Sequence, residues 1–427
     1  MELHTIQVTN FRSIKDSGVV PLDDIACLVG KNESGKTNLL QALMRVNPIP
    51  GQPKAFDVND DYPRAEASTM EHKLADKSFP RPIAVTVEYR LDDDDIAAVA
   101  TNLGEGVFKP TGNPKSVTVK LDYSGKKTWD VQVDQEKAIE HIVSVSGVEG
   151  KPTTAKTIPE FYTALGEVIG SEGTESEESK TKAQVAIDII KGWRDSNLAH
   201  AVIDALSKRE PIYMYFDEYA TLPPRGNVRE LLTKRQDAEV ELSDSDRTFL
   251  ALIDEAQINL ERVSTQEYPE LRNGLESASI RISGELNEYW SQNQRSRIDF
   301  DHTYEDVPGE PEGTKRDLIL MIRVEDTKYH VSTSIARRSS GFVWFFSFMV
   351  NFSRIRDQFP DRPLVLLLDE PGTSLHGLAQ RDFLKVLDGK LGDHQIIYTT
   401  HQPFLVKLRT GQARPCPSRS LFRAAPA

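Results

Sequence analysis

Near the start of the chain Ile6 and Val8 alternate with Gln7 and Thr9, and a short apolar run, "IACLVG", occupies residues 25 to 30. The spacing predicts two strands and a turn over residues 2 to 30, then a first helix with Leu39, Leu40 and Leu43 on one face. A cleaner alternation sets Ile83, Val85, Val87, Tyr89 and Leu91 against Ala84, Thr86, Glu88 and Arg90, and residues 117 to 123 repeat it before Ser124-Gly125. Both predict half-exposed antiparallel strands. From about residue 146 the period turns helical, interrupted by "GSEGTESEESKTK" at 170 to 182, which is too poor in apolar residues to pack and predicts a flexible linker. Helical spacing resumes over 183 to 300, with Leu275, Ile282, Leu286 and Tyr289 or Trp290 along one face and a strand-like "PIYMYF" at 211 to 216. "PGEPEG" at 308 to 313 ends this region.

Alternation returns at Leu318, Leu320, Ile322 and Val324, turns near Asp326-Thr327, and continues at Tyr329 and Val331. "FVWFFSFMVNF" is apolar on nearly every side and predicts a buried helix, with Trp344, Phe345 and Phe346 in the core. "PLVLLLDEPG" and "HQIIYTTHQPF" predict two fully buried parallel strands, which makes the chain an α/β protein with a mixed sheet. No internal repeat has a period between 20 and 50 residues.

Composition changes this picture little. With 427 residues, 38% apolar and 27% charged, the chain has room for two or three domains and a real core. No apolar run approaches a bilayer span and "MELHTIQVTNF" does not read as a signal peptide, so the expected compartment is the cytoplasm, with no membrane partner. Cys27 and Cys416 form neither a disulfide framework nor a zinc cluster and are expected as free thiols. The net charge of −13 would repel nucleic acid at long range, so DNA binding needs a local basic surface.

The chemistry begins at "GKNESGKT". Gly30, Gly35, Lys36 and Thr37 have the spacing of a phosphate-binding loop set between an apolar strand and a helix. Glycines let the N–H groups of Gly30, Lys31, Asn32, Glu33, Ser34, Gly35, Lys36, Thr37 and Asn38 converge on phosphate oxygens; Lys36 adds a cation and the Thr37 hydroxyl a magnesium ligand. ATP and Mg2+ are the expected ligands. The matching acid stands at the end of "LVLLLDEP", where a buried strand delivers Asp369 to the sheet's C-terminal edge to hold magnesium and Glu370 to act as general base. Lys36 and Asp369 are roughly 330 residues apart, so a large segment is inserted between the two halves of one site.

On these residues the chain resembles the ATP-binding-cassette heads of the SMC and RecF type, and most closely the overcoming-lysogenization-defect (OLD) nucleases, including Gabija-like relatives. "VTNFRSIKDS" looks like the family's opening strand, with Asn10, Phe11 and Arg12 at its Asn-(Phe/Tyr)-Arg, and Arg12 is carried over as a nucleotide contact. "RSSGF" is similar to a cassette signature, with Ser339 and Gly341 at its serine and second glycine, Ser340 replacing the first glycine. "DEPGTSLH" resembles the Leu-His that follows the acidic pair, and "YTTHQPFLV" the switch-histidine strand, with His401 sensing the γ-phosphate. The resemblance covers about 1 to 145 and 315 to 406. It implies a P-loop NTPase head with an antiparallel β subdomain and a mainly helical insertion, working as a homodimer or higher homo-oligomer with ATP sandwiched between protomers.

Plainer readings stand beside these. Ser339 caps the following helix as well as any serine would, a use compatible with phosphate contact. His401 fits an ordinary strand end, His376 a turn, and Asp60 and Asp61 in "FDVNDDYPR" a hydrated turn rather than a magnesium- or water-contacting loop.

The expected organisation is therefore an N-terminal half-head at 1–145, a mainly helical insertion serving dimerisation at 146–314, a C-terminal half-head at 315–406, and a tail at 407–427. That tail is rich in arginine and proline and has no acid. Three readings stay open for it: a basic disordered segment for nucleic acid, a natural terminus, or the out-of-frame end of a shortened gene. The Toprim nuclease domain of complete OLD proteins is not expected in these residues. The implied function is the ATP-hydrolysing head of an OLD-like nuclease, anti-phage defence or DNA-processing protein, with DNA and a nuclease in trans as open partners. The alternative is an SMC- or RecF-like DNA-repair clamp without cleavage.

Overall fold

A computed structural model describes residues 1–31, 34–76, 79–112, 114–171, 176–217, 221–237, 242–255, 268–293, 295–307, 309, 316–389, 391–402 and 405–406. The tail from 407 onward, Cys416, and most of "PGEPEG" lie outside these.

Three sheets organise the described residues. The first is antiparallel: β1 (Glu2–Phe11) pairs with β2 (Ile14–Asp16), β3 (Val20–Pro21) and β5 (Ile83–Arg90), and β5 continues through β7 (Ser116–Asp122) to β8 (Lys127–Asp130). A small ribbon, β6 (Phe108–Lys109) with β9 (Gln132–Val133), lies outside it. The second sheet is wholly parallel, in the order β10 (Ile212–Phe216), β15 (Leu364–Leu368), β16 (Gln395–Thr400), β4 (Ile25–Val29). The third is antiparallel: β11 (Arg225–Asn227), β13 (Arg316–Asp326) and β12 (Ser296–Asp306), with β14 (Val331–Ser334) also on β13.

The parallel sheet divides two cores, and its sequence explains why. A strand covered on both faces needs apolar residues at every position, with alternate side chains serving opposite sides. Val365, Leu367, Ile397 and Tyr213 join the core beneath the first sheet, whereas Leu364, Leu366, Leu368, Ile396 and Tyr398 join the other. Helix Ser340–Gln358 lies in this second core with Trp344, Phe345 and Phe346 buried as predicted. Trp344 and Phe348 meet Phe216 edge-on at 5.8 and 5.4 Å, and Trp290 meets Phe345 at 4.9 Å.

A buried polar cluster ties the first sheet to the second. Lys127 donates to Glu210 at 2.6 Å, and the Tyr89 and Tyr213 hydroxyls are 2.8 Å apart. Burial raises the pKa of Glu210 and lowers that of Lys127, so this pair forms against a desolvation cost.

Several expectations need revision. Residues 2 to 30 form four strands rather than two, because β2 and β3 are short pairings on β1 that carry little alternation of their own. The predicted linker is helical from Glu177 onward, in a helix running to Lys191: Ser176 caps it by accepting from the Ser179 N–H, and Ala183, Ala186, Ile187 and Ile190 anchor it. Residues 172–175 of that segment lie outside the described set. The strand inside the middle segment is the edge strand β10 of the parallel sheet, so the chain returns to the core halfway through its excursion. Among the described residues no helix is long and apolar enough to cross a membrane.

Candidate functional site

The four parallel strands end on one edge, and that edge gathers the candidate residues. β4 runs into the glycine-rich loop and helix Lys36–Met44 begins at once, with Gly35 at its N-cap in the left-handed region, φ 87°. Glycine takes that conformation without the penalty a side chain would carry. A Cβ on Gly30 would stand 2.9 Å from Ser34 Oγ, so the loop closes tightly there as well. Ser34 Oγ is buried and has no hydrogen-bond partner among the described residues. Lys36 is 7% exposed and its Nζ donates to the Gly30 and Lys31 carbonyls, each at 3.0 Å. Thr37 and Lys31 are exposed, Asn38 donates to Ser13 Oγ at 2.8 Å, and Asn32 and Glu33 lie outside the described residues.

Asp369 and Glu370 follow β15 directly. Both oxygens of Asp369 accept from neutral donors: Oδ1 from Thr399 Oγ1 at 2.7 Å, Oδ2 from the Tyr215 hydroxyl at 3.0 Å. Burial, and then the charge of Asp369, push the Tyr215 hydroxyl well above its ordinary pKa, so it remains a donor at neutral pH. Glu370 has φ 47°, a left-handed conformation that costs a non-glycine residue on the order of 1 kcal/mol and is typical of sites where geometry matters more than stability. Its N–H donates to Thr399 Oγ1 at 2.7 Å, and its carboxylate reaches His401 Nδ1 at 2.7 Å and Lys36 Nζ at 3.9 Å. Glu370 thus stands near the buried ammonium of Lys36 while the adjacent Asp369 is met by hydroxyls, a donor set that fits a divalent cation and a polyphosphate together.

Arg12 is held at the rim. It ion-pairs with Asp61 at 3.1 Å, donates to Gln41, and stacks on Phe11 at 5.0 Å; Gln41 in turn donates to the Tyr215 hydroxyl at 3.3 Å. Arg12, Gln41 and Tyr215 line a cavity of about 270 Å3. The hydrated-turn expectation fails for Asp61, which is 2% exposed and also pairs with Arg45 at 3.0 Å. Its charge is already met by two arginines, whereas Asp60 stays exposed at the surface of that turn.

Ser339 and Gly341 stand at the start of helix Ser340–Gln358. Ser339 Oγ accepts from the Phe342 N–H at 3.3 Å, an ordinary cap. A Cβ on Gly341 would lie 2.7 Å from the Ser374 carbonyl, so this glycine admits the turn that follows the acidic pair. Among the described residues neither makes a hydrogen bond or ion pair with the phosphate loop of its own chain. His376 precedes helix Gly377–Asp388 and is exposed, without a side-chain cap bond.

Sequence reasoning missed Tyr215, Thr399 and Gln41. Thr399 sat in a quoted strand two residues before His401, where a hydroxyl inside a buried run was a usable signal; Tyr215 had none, since nothing local marks β10 as the neighbour of β15.

A family model described as an AAA ATPase domain matches residues 1–406. The uncharacterized protein MJECL43 of Methanocaldococcus jannaschii is 28% identical over 131 residues, 30% of this chain and 31% of that protein, so the match spans about a third of each. Among solved structures, an SMC head bound to the C-winged helix domain of ScpA aligns with TM-score 0.40 and 15% identity over 95% of this chain and 91% of its own. An Smc head with an extended coiled coil, bound to the C-terminal domain of ScpA from Pyrococcus furiosus, aligns at 0.35 and 15% over 95% and 90%. The SMC head of Thermotoga maritima aligns at 0.32 and 11% over 95% and 91%. At such scores the likeness is one of loose outline.

Proposed function

The chain belongs to the AAA ATPase domain family, and from that premise we propose that it binds ATP with Mg2+ at the C-terminal edge of its parallel sheet and hydrolyses it between two protomers. The observation that carries the reading is the 3.9 Å approach of Lys36 Nζ to Glu370 Oε1, which joins two sequence-distant motifs beside Asp369. The loop N–H groups from Gly30 to Asn38 cradle the phosphates and Lys36 balances their charge. Thr37 and Asp369 are the residues that would hold Mg2+, whose contribution when bound is to neutralise charge on the outer phosphates. Glu370 accepts the proton of the attacking water, while His401 and Lys36 fix its carboxylate. Ser339 and Gly341 serve the nucleotide of the partner protomer, and Arg12 lies at the rim of its own. The protein works in the cytoplasm as the ATPase head of an OLD-like nuclease, anti-phage defence or DNA-processing system, the nuclease domain missing from these residues or acting in trans. The return of β10 to the core sheet within the middle segment favours this over a clamp with a long coiled-coil arm.

Glu370→Gln is expected to keep ATP affinity, lose about 100-fold or more in hydrolysis, and accumulate as a closed dimer in light scattering, whereas Lys36→Ala loses nucleotide binding. Normal turnover in the glutamine variant would remove Glu370 as the base.

A further inference from the structure

We propose a second anion site, specific for a phosphoanion, in a cleft of about 510 Å3 between helices Tyr268–Tyr289 and Ser340–Gln358. Arg235, Arg281, Arg354 and Arg356 converge on it. Three acids share the cleft, and two of them are engaged with arginines other than Arg281. Asp254 takes Arg235 at 3.0 Å and Arg354 at 3.7 Å, and Asp357 takes Arg356 at 3.6 Å. The third, Glu285, accepts from Ser353 Oγ at 3.4 Å.

Arg281 is left over. Its Nε and Nη2 are shielded from water and have no hydrogen-bond partner among the described residues. Two N–H donors of a charged group, shut away from water without an acceptor, leave a desolvation cost unmet. Two N–H groups on one edge of the fork match two oxygens of a tetrahedral oxyanion, the arrangement in which arginine surpasses lysine. Arg354 adds to the demand: burial, then repulsion from Arg235 and Arg247, lowers its pKa in spite of Asp254. A bound phosphoanion would answer both residues, and it would do so locally in a chain whose total charge of −13 attracts no anion from a distance. Arg354 also lines the cavity beside Tyr215 and Gln41, so the cleft adjoins the surroundings of the magnesium acid.

The test uses the full chain carrying Lys36→Ala, which disables the phosphate loop, titrated with inorganic phosphate by calorimetry. Phosphate should still bind, and Arg281→Gln should weaken it about tenfold or more, the value of a charge-assisted pair, with Arg281→Lys in between. Without phosphate, Arg281→Gln should melt at the same or a higher temperature, since it removes buried donors that have no acceptor; an arginine held by structural pairs would melt lower when replaced. A 15-nucleotide single strand that displaces phosphate only when Arg281 is present would identify a nucleic-acid phosphodiester as the source, and failure to compete a small free phosphoanion. Loss of all phosphate binding in Lys36→Ala, or affinity indifferent to Arg281→Gln, would overturn the site while leaving the ATPase reading intact.

Discussion

Two buried aspartates flank the helix that follows the phosphate loop, and they differ in what surrounds them. Asp61 is 2% exposed and faces two cations, Arg12 at 3.1 Å and Arg45 at 3.0 Å, with the Asp57 N–H donating as well. Asp369 is 8% exposed and, among the described residues, its carboxylate is met only by the hydroxyls of Thr399 and Tyr215. Hydroxyl donors orient a carboxylate without cancelling its charge; guanidinium groups cancel it. A cation approaching Asp61 would have to displace two arginines, one of them buried on Phe11 and Phe56. A cation approaching Asp369 meets an anion already held in one rotamer, with a second carboxylate beside it. Burial alone therefore does not distinguish a ligand from a girder, whereas the charge of the partners does.

The sharpest way to break the comparison is to neutralise each acid in turn. Asp61→Asn leaves Arg12 and Arg45 beside an uncharged amide and is expected to cost about 3 kcal/mol of stability in denaturant melts, with the magnesium requirement for ATP binding unchanged. Asp369→Asn removes an uncompensated charge, so the melt should be unchanged or improved, while hydrolysis falls by about 100-fold or more and magnesium no longer tightens nucleotide binding. If Asp61→Asn abolished magnesium dependence and Asp369→Asn merely unfolded the protein, the two roles would be reversed.

How much of this was open to sequence reasoning depends on where each signal resides. The phosphate loop, β15 and β16 were legible because each is local: fixed glycines in one case, continuous apolar runs in the others. The fate of Asp61 was not, since its partners Arg12 and Arg45 arrive from β1's end and from the loop helix. β10 read as a strand, yet its place beside β15 rests on pairing across about 150 residues that no local pattern encodes. β12 was missed although Ile298 and Phe300 alternate with Arg297, Asp299 and Asp301, because a helical reading of 183 to 300 absorbed its first turn. The supposed linker failed for the opposite reason, its polar second half, from Ser176 to Lys182, being the capped, solvated start of a helix anchored further on.

Smaller changes sharpen the picture of Asp369. Thr399 both donates to Oδ1 and accepts the Glu370 N–H. Thr399→Val keeps the shape but orphans that N–H at a strained residue, so a loss of about 1–3 kcal/mol is expected, together with weakened hydrolysis; a wild-type melt and rate would show that the bridge does not hold the acidic pair.

Tyr215→Phe should have the mildest effect. Phenylalanine fills the same space, so the cores on either side of β10 are undisturbed, and Gln41 keeps its contact with Arg12. What is lost is the acceptor for Gln41 Nε2 and the donor to Oδ2, the second of which frees the Asp369 carboxylate to turn away from the phosphate edge. The magnesium concentration giving half-maximal ATP affinity should rise about tenfold, the low end of what a hydrogen bond to a charged group is worth, while nucleotide affinity in chelator stays as in the parent. That split separates positioning from packing, because a packing defect would weaken both. An unchanged magnesium midpoint would mean that Thr399 alone sets the rotamer, and the tyrosine's place in the comparison would pass to its neighbour.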